Sequence, residues 1–472
     1  MRNTGHNVVL DKGDSPSKTG STGVKAQILE GPILSAILRL SVPMFVSIIF
    51  TFLYNITNTL FLSYVDRNST AIISGITLVT PIFNFVTALS NGLRVGISAR
   101  VAISIGERNN SKLEKIFNSG LVIAVPTVLI FLTIGYLFCG QIIGLMAGDA
   151  LQPEALRAGT DYLFYMLPGF GLVLLGQVFM GMLLGEGKTI PLGISMLISN
   201  IINIALDPLF IFVFHMGPGG AGLATSISMA STSLYVVLYF TRRKTETPIR
   251  LRPSQASRQA VLEICKTSLP QVLSMLSVSL SFVILNRFIG SIGQQEMNSW
   301  GLCNRLDQFV LIPVYAISSA TLVMIGQNYG NRNRERIKAV YRANAFYAFV
   351  STLVLSLIYI VSAPALFRLF SDVDSVIRGS ITQVRIVTLT FLGLVIETIS
   401  MSTFVGIERP LKAFCLMLIR MFFLTIPLVY ISVYLLSLGM LGVFISLCIA
   451  HLGSGCISGF WVWRNLHQEL FK

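Results

Sequence analysis

Asp207 is the residue of this sequence best placed to do chemistry, because it is a carboxylate set in a long apolar run, directly before Pro208. Asn203 and Asn200 precede it by about one and two turns and share its face of a helix. One carboxylate with two amides is an oxygen-rich set suited to a hard cation or a shared proton. Pro208 removes a helical hydrogen bond and bends the segment there; a wet carboxylate paired near a helix end is the bland alternative. Two more carboxylates interrupt apolar stretches: Asp307, two residues after Arg305, and Glu397 in "LVIETIS". Arg305 and Asp307 do not face each other at that spacing, so each needs its own partner. Arg420 opposes the acidic groups and is available to pair with one of them. Tyr54, Asn55 and Asn58 share one face, and Gln177 and Thr225 add an amide and a hydroxyl. The plain reading of these uncharged groups is an interhelical hydrogen bond worth about 0.6–2 kcal/mol.

The elements that hold these residues are membrane helices. Hydrophobic residues make up 53% of the 472 and charged residues 12%, against about 25% charged in a soluble domain. The stretches 42–62, 116–138, 272–289, 345–366 and 422–436 approach or meet the roughly 20 residues needed to cross a bilayer core. Twelve spans are expected, at 35–64, 71–93, 116–139, 160–184, 190–214, 220–241, 267–290, 299–324, 344–366, 384–405, 412–435 and 440–462. An ionised group at mid-membrane costs about 2.5–3.5 kcal/mol or more, so the embedded carboxylates are functional candidates by default. The six cysteines are scattered without a CxxC pair and the four histidines are unclustered, which argues against a zinc or haem enzyme.

Charge asymmetry orients the spans, since loops rich in Lys and Arg stay cytoplasmic. One side holds Arg100, Arg108, Lys112 and Lys115, Lys188, the 242–266 stretch, Arg332 to Arg342, Arg409 and Lys412, together with both termini. The other side holds only Arg67, Arg157, Arg368 and Arg378, beside Asp66, Asp149, Glu154, Asp372 and Asp374. Both termini are therefore expected in the cytoplasm, with the protein multi-pass in the inner (cytoplasmic) membrane. The net charge of +14 follows from this topology and gives no reason to expect a nucleic-acid partner. The Gly/Ser/Thr/Lys-rich residues 1–34 are expected to be a disordered cytoplasmic tail rather than a secretory signal.

The chain also repeats itself. "LSVPMFVSII" around Pro43 returns as "TSLPQVLSML" around Pro270, and "SIGERNNSKLEKI" returns as "NYGNRNRERIKAV". "LLGEGK" matches "FVGIERP", "LDPLFIF" matches "TIPLVYI", and "AGLATSIS" matches "LGVFISLC". Five landmarks in the same order divide the chain into a six-helix lobe over 35–241, a cytoplasmic linker over 242–266, a second lobe over 267–462 and a tail over 463–472. The expected fold class is an all-α polytopic membrane protein, with two pseudo-symmetric six-helix lobes around a central cavity. An even number of spans per lobe makes the repeats parallel, related by an axis along the membrane normal.

These strings, with "LYNITNTLFLS", "GEGKTIP…SNIINIALDPLFIF", "GPGGAGLATSIS" and "GLCNRLDQFVLIPVYAIS…VMIGQNYGNRN", resemble the multidrug and toxin extrusion (MATE) family of the multidrug/oligosaccharidyl-lipid/polysaccharide exporter superfamily. The resemblance covers the chain beyond its tail. It implies an exporter of organic cations or drugs, not an enzyme, driven by proton or sodium antiport through alternating access, with no cofactor besides that ion. It also implies a cation- or proton-binding set of Asp207, Asn203, Asn200, Asn58, Gln177 and Thr225. Tyr54, Asn55, Asp307, Arg305 and Glu397 are expected at the substrate cavity, where Asp207, Asp307 and Glu397 would together attract a cationic substrate. Two positions depart from the family: Asn58 stands where relatives usually have aspartate, and Val278 where some have a coupling glutamate. The choice between proton and sodium is open on that account. The expected partners are a small organic substrate and membrane lipids, with the protein a monomer. The competing readings are a lipid-linked oligosaccharide flippase of the same superfamily, a membrane-embedded transferase and a channel. A transferase predicts a catalytic loop cluster and a channel a filter, and neither is found in the sequence.

Overall fold

The computed structural model describes residues 22–65, 71–147, 153–242 and 252–471, and for residues 22, 54–65, 71–73 and 253 the backbone alone. Among these residues there is no strand, and twelve helices are long and apolar enough to cross a membrane. A short helix α1, Thr22–Leu29, precedes α2, Ile33–Val65. Then come α3 Ala71–Gly106, α4 Asn110–Met146, α5 Pro153–Gly185, α6 Thr189–Pro208 and α7 Gly217–Thr241. The second half runs α8 Arg258–Gly290, α9 Gln294–Gly330, α10 Arg334–Arg368, α11 Asp374–Val387, α12 Phe391–Gly406, α13 Pro410–Leu418, α14 Ile426–Tyr430 and α15 Gly439–Arg464. Helices α11 and α12 make one span, as do α13 and α14, which are joined by a π-helical turn at Ile419–Thr425.

Helix is the form that satisfies every backbone group within its own segment where water is absent. Prolines inside α2, α3, α4, α5, α8, α9 and α10 are tolerated because neighbouring helices and hydroxyl side chains serve the freed carbonyls. The Ser47 hydroxyl, for example, donates to the Pro43 carbonyl at 2.6 Å. Several helices outrun the expected spans. The 37 residues of α4 reach about 55 Å at 1.5 Å per residue, well beyond a hydrocarbon core of about 30 Å. Their ends therefore project into the polar regions, at the end that carries the basic loops and at the opposite end.

Three expected boundaries are corrected. The 1–34 tail is not disordered throughout, since α1 occupies Thr22–Leu29 and α2 starts at Ile33. The linker expected over 242–266 is helical from Arg258. The tail expected over 463–472 continues α15 through a π-helical turn at Asn465–Glu469. That turn is tied down by Arg409 and Lys412, whose nitrogens lie 3.0 and 3.2 Å from Glu469.

The two halves repeat each other down to their strained residues. Among the described residues the left-handed backbone conformation occurs at Arg108, Gly187, His215 and Gly217 in the first half. It recurs at Arg332, Glu408, Ser437 and Gly439 in the second. Each first-half residue has its counterpart in the same turn of the repeat. Asn109 caps α4 by accepting from Lys112 N, and Asn333 caps α10 by accepting from Arg336 N. A π-helical turn follows α6 at Leu209–Val213, and another follows α14 at Ile431–Leu435.

Polar contacts between the halves cluster, among the described residues, at the basic end. Arg100 binds Glu408 and lies 3.7 Å from Glu263. Gln327 Nε2 donates to the Gly185 carbonyl at 3.0 Å. The α1 segment lies across the seam, where the carbonyls of Ile28 and Gly31 accept from Arg336 at 2.9 and 2.6 Å. Helices α3 and α9 cross with their C-terminal glycines in backbone contact: a Cβ added to Gly106 would sit 2.0 Å from the Gln327 carbonyl oxygen, and one on Gly330 2.1 Å from that of Ile103. Only glycine permits such an approach.

Candidate functional site

Two polar sites lie in the apolar bundle, one within the first half and one between the halves. The first is built on α6. Asn200, Asn203 and Asp207 are all buried on one face, with Asp207 1% exposed, as their spacing requires. Asn200 Nδ2 reaches Thr51 Oγ1 of α2 at 3.2 Å, and Asn203 Nδ2 reaches Ser228 Oγ of α7 at 3.4 Å. Thr225, buried on α7, donates to the Ala221 carbonyl at 2.9 Å. The Tyr162 phenol of α5 lies beside Thr225 and near enough to Asp207 to interact with its charge. The result is a carboxylate ringed by amides, hydroxyls and a phenol from α2, α5, α6 and α7. Tyr162, Ser228 and Thr51 could not be read from sequence, because they join the group only through helix packing. Gln177 stands nearer the basic end of α5, half-buried with its Oε1 shielded from solvent and unpartnered, and no described contact joins it to Asp207. The side chains of Tyr54, Asn55 and Asn58 lie outside the described residues.

The second site is a central cavity of about 520 Å³ between α3 and α5 of the first half and α8, α9, α12 and α13 of the second. Its charged lining is Arg94, Glu397 and Arg420, with Gln271, Tyr315 and Val278 among its other walls. Glu397 is 1% exposed, and its Oε1 accepts from Arg420 Nε at 2.8 Å, while Oε2 has no partner. Arg94 donates to Asn91 Oδ1 at 2.6 Å, and its Nε is shielded and unpartnered. Gly92 and Gly96 flank Arg94 on α3 and pack against Val272 and Ser268 of α8. The arginine therefore sits just inside the closed seam.

The structure separates the three carboxylates that the sequence placed at one cavity. Asp207 belongs to the first site and Glu397 to the central cavity. Asp307 is half-buried beside Tyr359. It lines a smaller space of about 200 Å³ with Gln383, Arg420 and His451. Arg305 is exposed and lines neither space. Val278 lines both, so an apolar wall stands where a second cavity carboxylate was considered.

The Glu397–Arg420 pair makes a direct prediction. Removing one member of a buried pair strands the other charge and costs about 3–5 kcal/mol, whereas replacing both by apolar groups is often neutral. Arg420→Leu is expected to lower the melting temperature of the detergent-purified protein sharply, and Arg420→Leu/Glu397→Leu to restore most of it. A single variant as stable as the parent would show that the pair carries no such energy.

The chain matches the MatE family model twice, over residues 43–209 and 270–431, which reproduces the internal repeat. It is 27% identical over 363 residues to the multidrug export protein MepA of Staphylococcus haemolyticus (strain JCSC1435), covering 77% of this chain and 79% of that protein. It is 25% identical over 314 residues to MepA of Staphylococcus aureus (strain MRSA252), covering 66% and 68%. Among solved structures it resembles an outward-facing multidrug resistance MATE family transporter of the MOP superfamily. The TM-score there is 0.88 at 26% identity, over 94% of this chain and 98% of that one. A MOP superfamily transporter from Pyrococcus furiosus, described by a binding pocket of reverse polarity suggesting a different function, gives 0.87 at 27% identity over 96% and 99%.

Proposed function

This chain belongs to the MatE family, and we propose that it exports small organic molecules, drugs among them, in exchange for protons or sodium ions. The observation that carries this reading is the separation of a buried acid–amide group around Asp207 from a roomy central cavity between the halves. An antiporter needs two such places, one for the driving ion and one for the cargo, coupled through a common rearrangement. Export of several drugs is what the names of the MepA relatives describe, and the fold they share supports extending it to this chain. Binding of a proton or sodium ion at Asp207 alternates with cargo binding as the lobes rock about the seam, so that the cavity faces each side in turn. The positive-inside pattern supports placing the seam and both termini in the cytoplasm, with the protein in the cytoplasmic membrane. One chain holds both halves of the pathway, so a monomer suffices.

A second reading is flipping of a lipid-linked oligosaccharide. It draws on one observation, the two arginines against a single carboxylate in the central cavity. Proteoliposomes loaded with a panel of fluorescent organic dyes test the first reading, with proton and sodium gradients imposed separately. Dye movement driven by one gradient and collapsed by the matching ionophore is expected. Equal movement without any gradient, or none under either, would turn the argument to the lipid-linked substrate.

A further inference from the structure

We propose that the central cavity selects substrates carrying an acidic group, a carboxylate, sulfonate or phosphate, which seats on Arg94, and that it disfavours purely cationic ones. This rests on the reading of the cavity as the cargo site and narrows what the cargo is.

The first support is the charge count. The charged lining is Arg94, Arg420 and Glu397, and guanidinium groups in proteins stay protonated. With Glu397 ionised the cavity holds a net charge of about +1, and with Glu397 neutral about +2. Asp207 does not enter this count, because that group lies in a separate site. Asp307 lines an adjoining space that shares Arg420, Val278, Leu311, Tyr315 and Leu394 with this one, so both carboxylates stand against Arg420 and Arg94 is the cation left without one. In a site of low dielectric an uncompensated charge is felt strongly, and a cation without an acidic group is repelled by Arg94.

The second support is the state of Arg94 itself. An arginine within a membrane bundle is costly and normally pairs with a carboxylate. No ion pair of Arg94 occurs among the described residues, and its one described hydrogen bond is to the neutral amide of Asn91. Its Nε is shielded from solvent and unpartnered, although a guanidinium presents five donors in a fork that fits a carboxylate or phosphate with two parallel bonds. The Arg420 guanidinium differs, since it is already held by Glu397 at 2.8 Å. Arg94 is thus the unfilled anion receptor of the cavity. Val95, Leu184, Met275, Leu311, Val314 and Met401 line much of the remaining wall, so the cargo combines an acidic head with an apolar body.

The test compares two rhodamine dyes of one skeleton, one with a free benzoate carboxylate (a zwitterion) and the other its ethyl ester (a cation). Binding to the detergent-purified full chain is read by fluorescence polarisation with no ion gradient, so the result does not depend on coupling. The zwitterion is expected to bind at least about tenfold more tightly, a step of about 1.4 kcal/mol. Arg94→Gln is expected to weaken the zwitterion by about that factor and leave the ester unchanged or improved. Arg94→Lys should keep part of the preference, because it preserves charge while losing the fork, and its retained binding shows that the position tolerates substitution. Glu397→Gln should act in the opposite sense and tighten the zwitterion. Displacement of the dye by a polyprenyl pyrophosphate would support the acidic-group rule and assign it to a lipid source. Equal or tighter binding of the ester, binding of neither dye, or an undiminished preference in a folded Arg94→Gln would each overturn the proposal. If the proposed export fails in proteoliposomes while the zwitterion preference holds, the two inferences separate cleanly.

Discussion

Asp207→Asn is expected to abolish gradient-driven export while leaving the protein folded. The change keeps the shape and size of the side chain but removes the charge and the proton it exchanges. Asp207 is 1% exposed, and the polar groups near it, Asn203 on the same face of α6 and the Tyr162 phenol, suit an amide as well as a carboxyl, so the packing of α5, α6 and α7 should survive. The initial rate under an imposed gradient should fall on the order of 100-fold, about 2.7 kcal/mol in barrier terms. Substrate binding at the central cavity should persist, because none of its charged lining touches this site. The measurement is dye export by proteoliposomes reconstituted with parent and variant protein, with the melting temperature as the control for folding. Export by the variant at the parent rate would remove Asp207 from the coupling scheme.

The second large effect is steric. Gly106→Val should hold the seam open at the basic end. A Cβ on Gly106 would lie 2.0 Å from the Gln327 carbonyl oxygen and 2.9 Å from Asn331 N, and neither backbone atom can turn aside as a side chain would. The helices must separate by more than an ångström, and the Arg100–Glu408 and Gln327–Gly185 contacts beside them weaken together. Each half keeps its own packing, so the expected result is a folded protein arrested away from the closed form, with transport lost. Spin labels on Ser111 and Glu335, exposed residues just after the two crossing helices, should report a longer distance in the variant. An unchanged distance distribution with parent-like transport would show that the crossing is not a gate.

Much of this was readable in advance because membrane helices announce themselves by length and charge. The twelve spans follow from that signal, the repeat from five recurring strings, and the grouping of Asn200, Asn203 and Asp207 from their spacing along one helix. What joins different helices was not readable. Ser228, Thr51 and Tyr162 reach the Asp207 group through packing, which leaves no mark in local sequence. Arg94 was missed for a specific reason: the second span was expected to end at residue 93, since a charge marks the limit of an apolar window. The helix in fact continues to Gly106, and the residue taken for a boundary lies inside the central cavity. Arg420 was legible as a partner for some carboxylate, though the choice of Glu397 over Asp307 depended on how α12 and the turn after α13 face each other. The left-handed residues show the same limit. Gly187 suggests itself by type, but Arg108, His215, Arg332, Glu408 and Ser437 adopt that conformation because their turns demand it.

The α1 segment behaves as a captive ligand of the closed seam. It belongs to the first half by chain connection, yet its carbonyls at Ile28 and Gly31 are bound by Arg336 of the second. A short tether gives such a segment an effective concentration on the order of millimolar or more, so a few modest hydrogen bonds keep it docked. When it lets go, it remains within reach and rebinds without a search through solution. The closed form is thereby favoured by a reversible internal association whose strength is set by tether length as much as by contact.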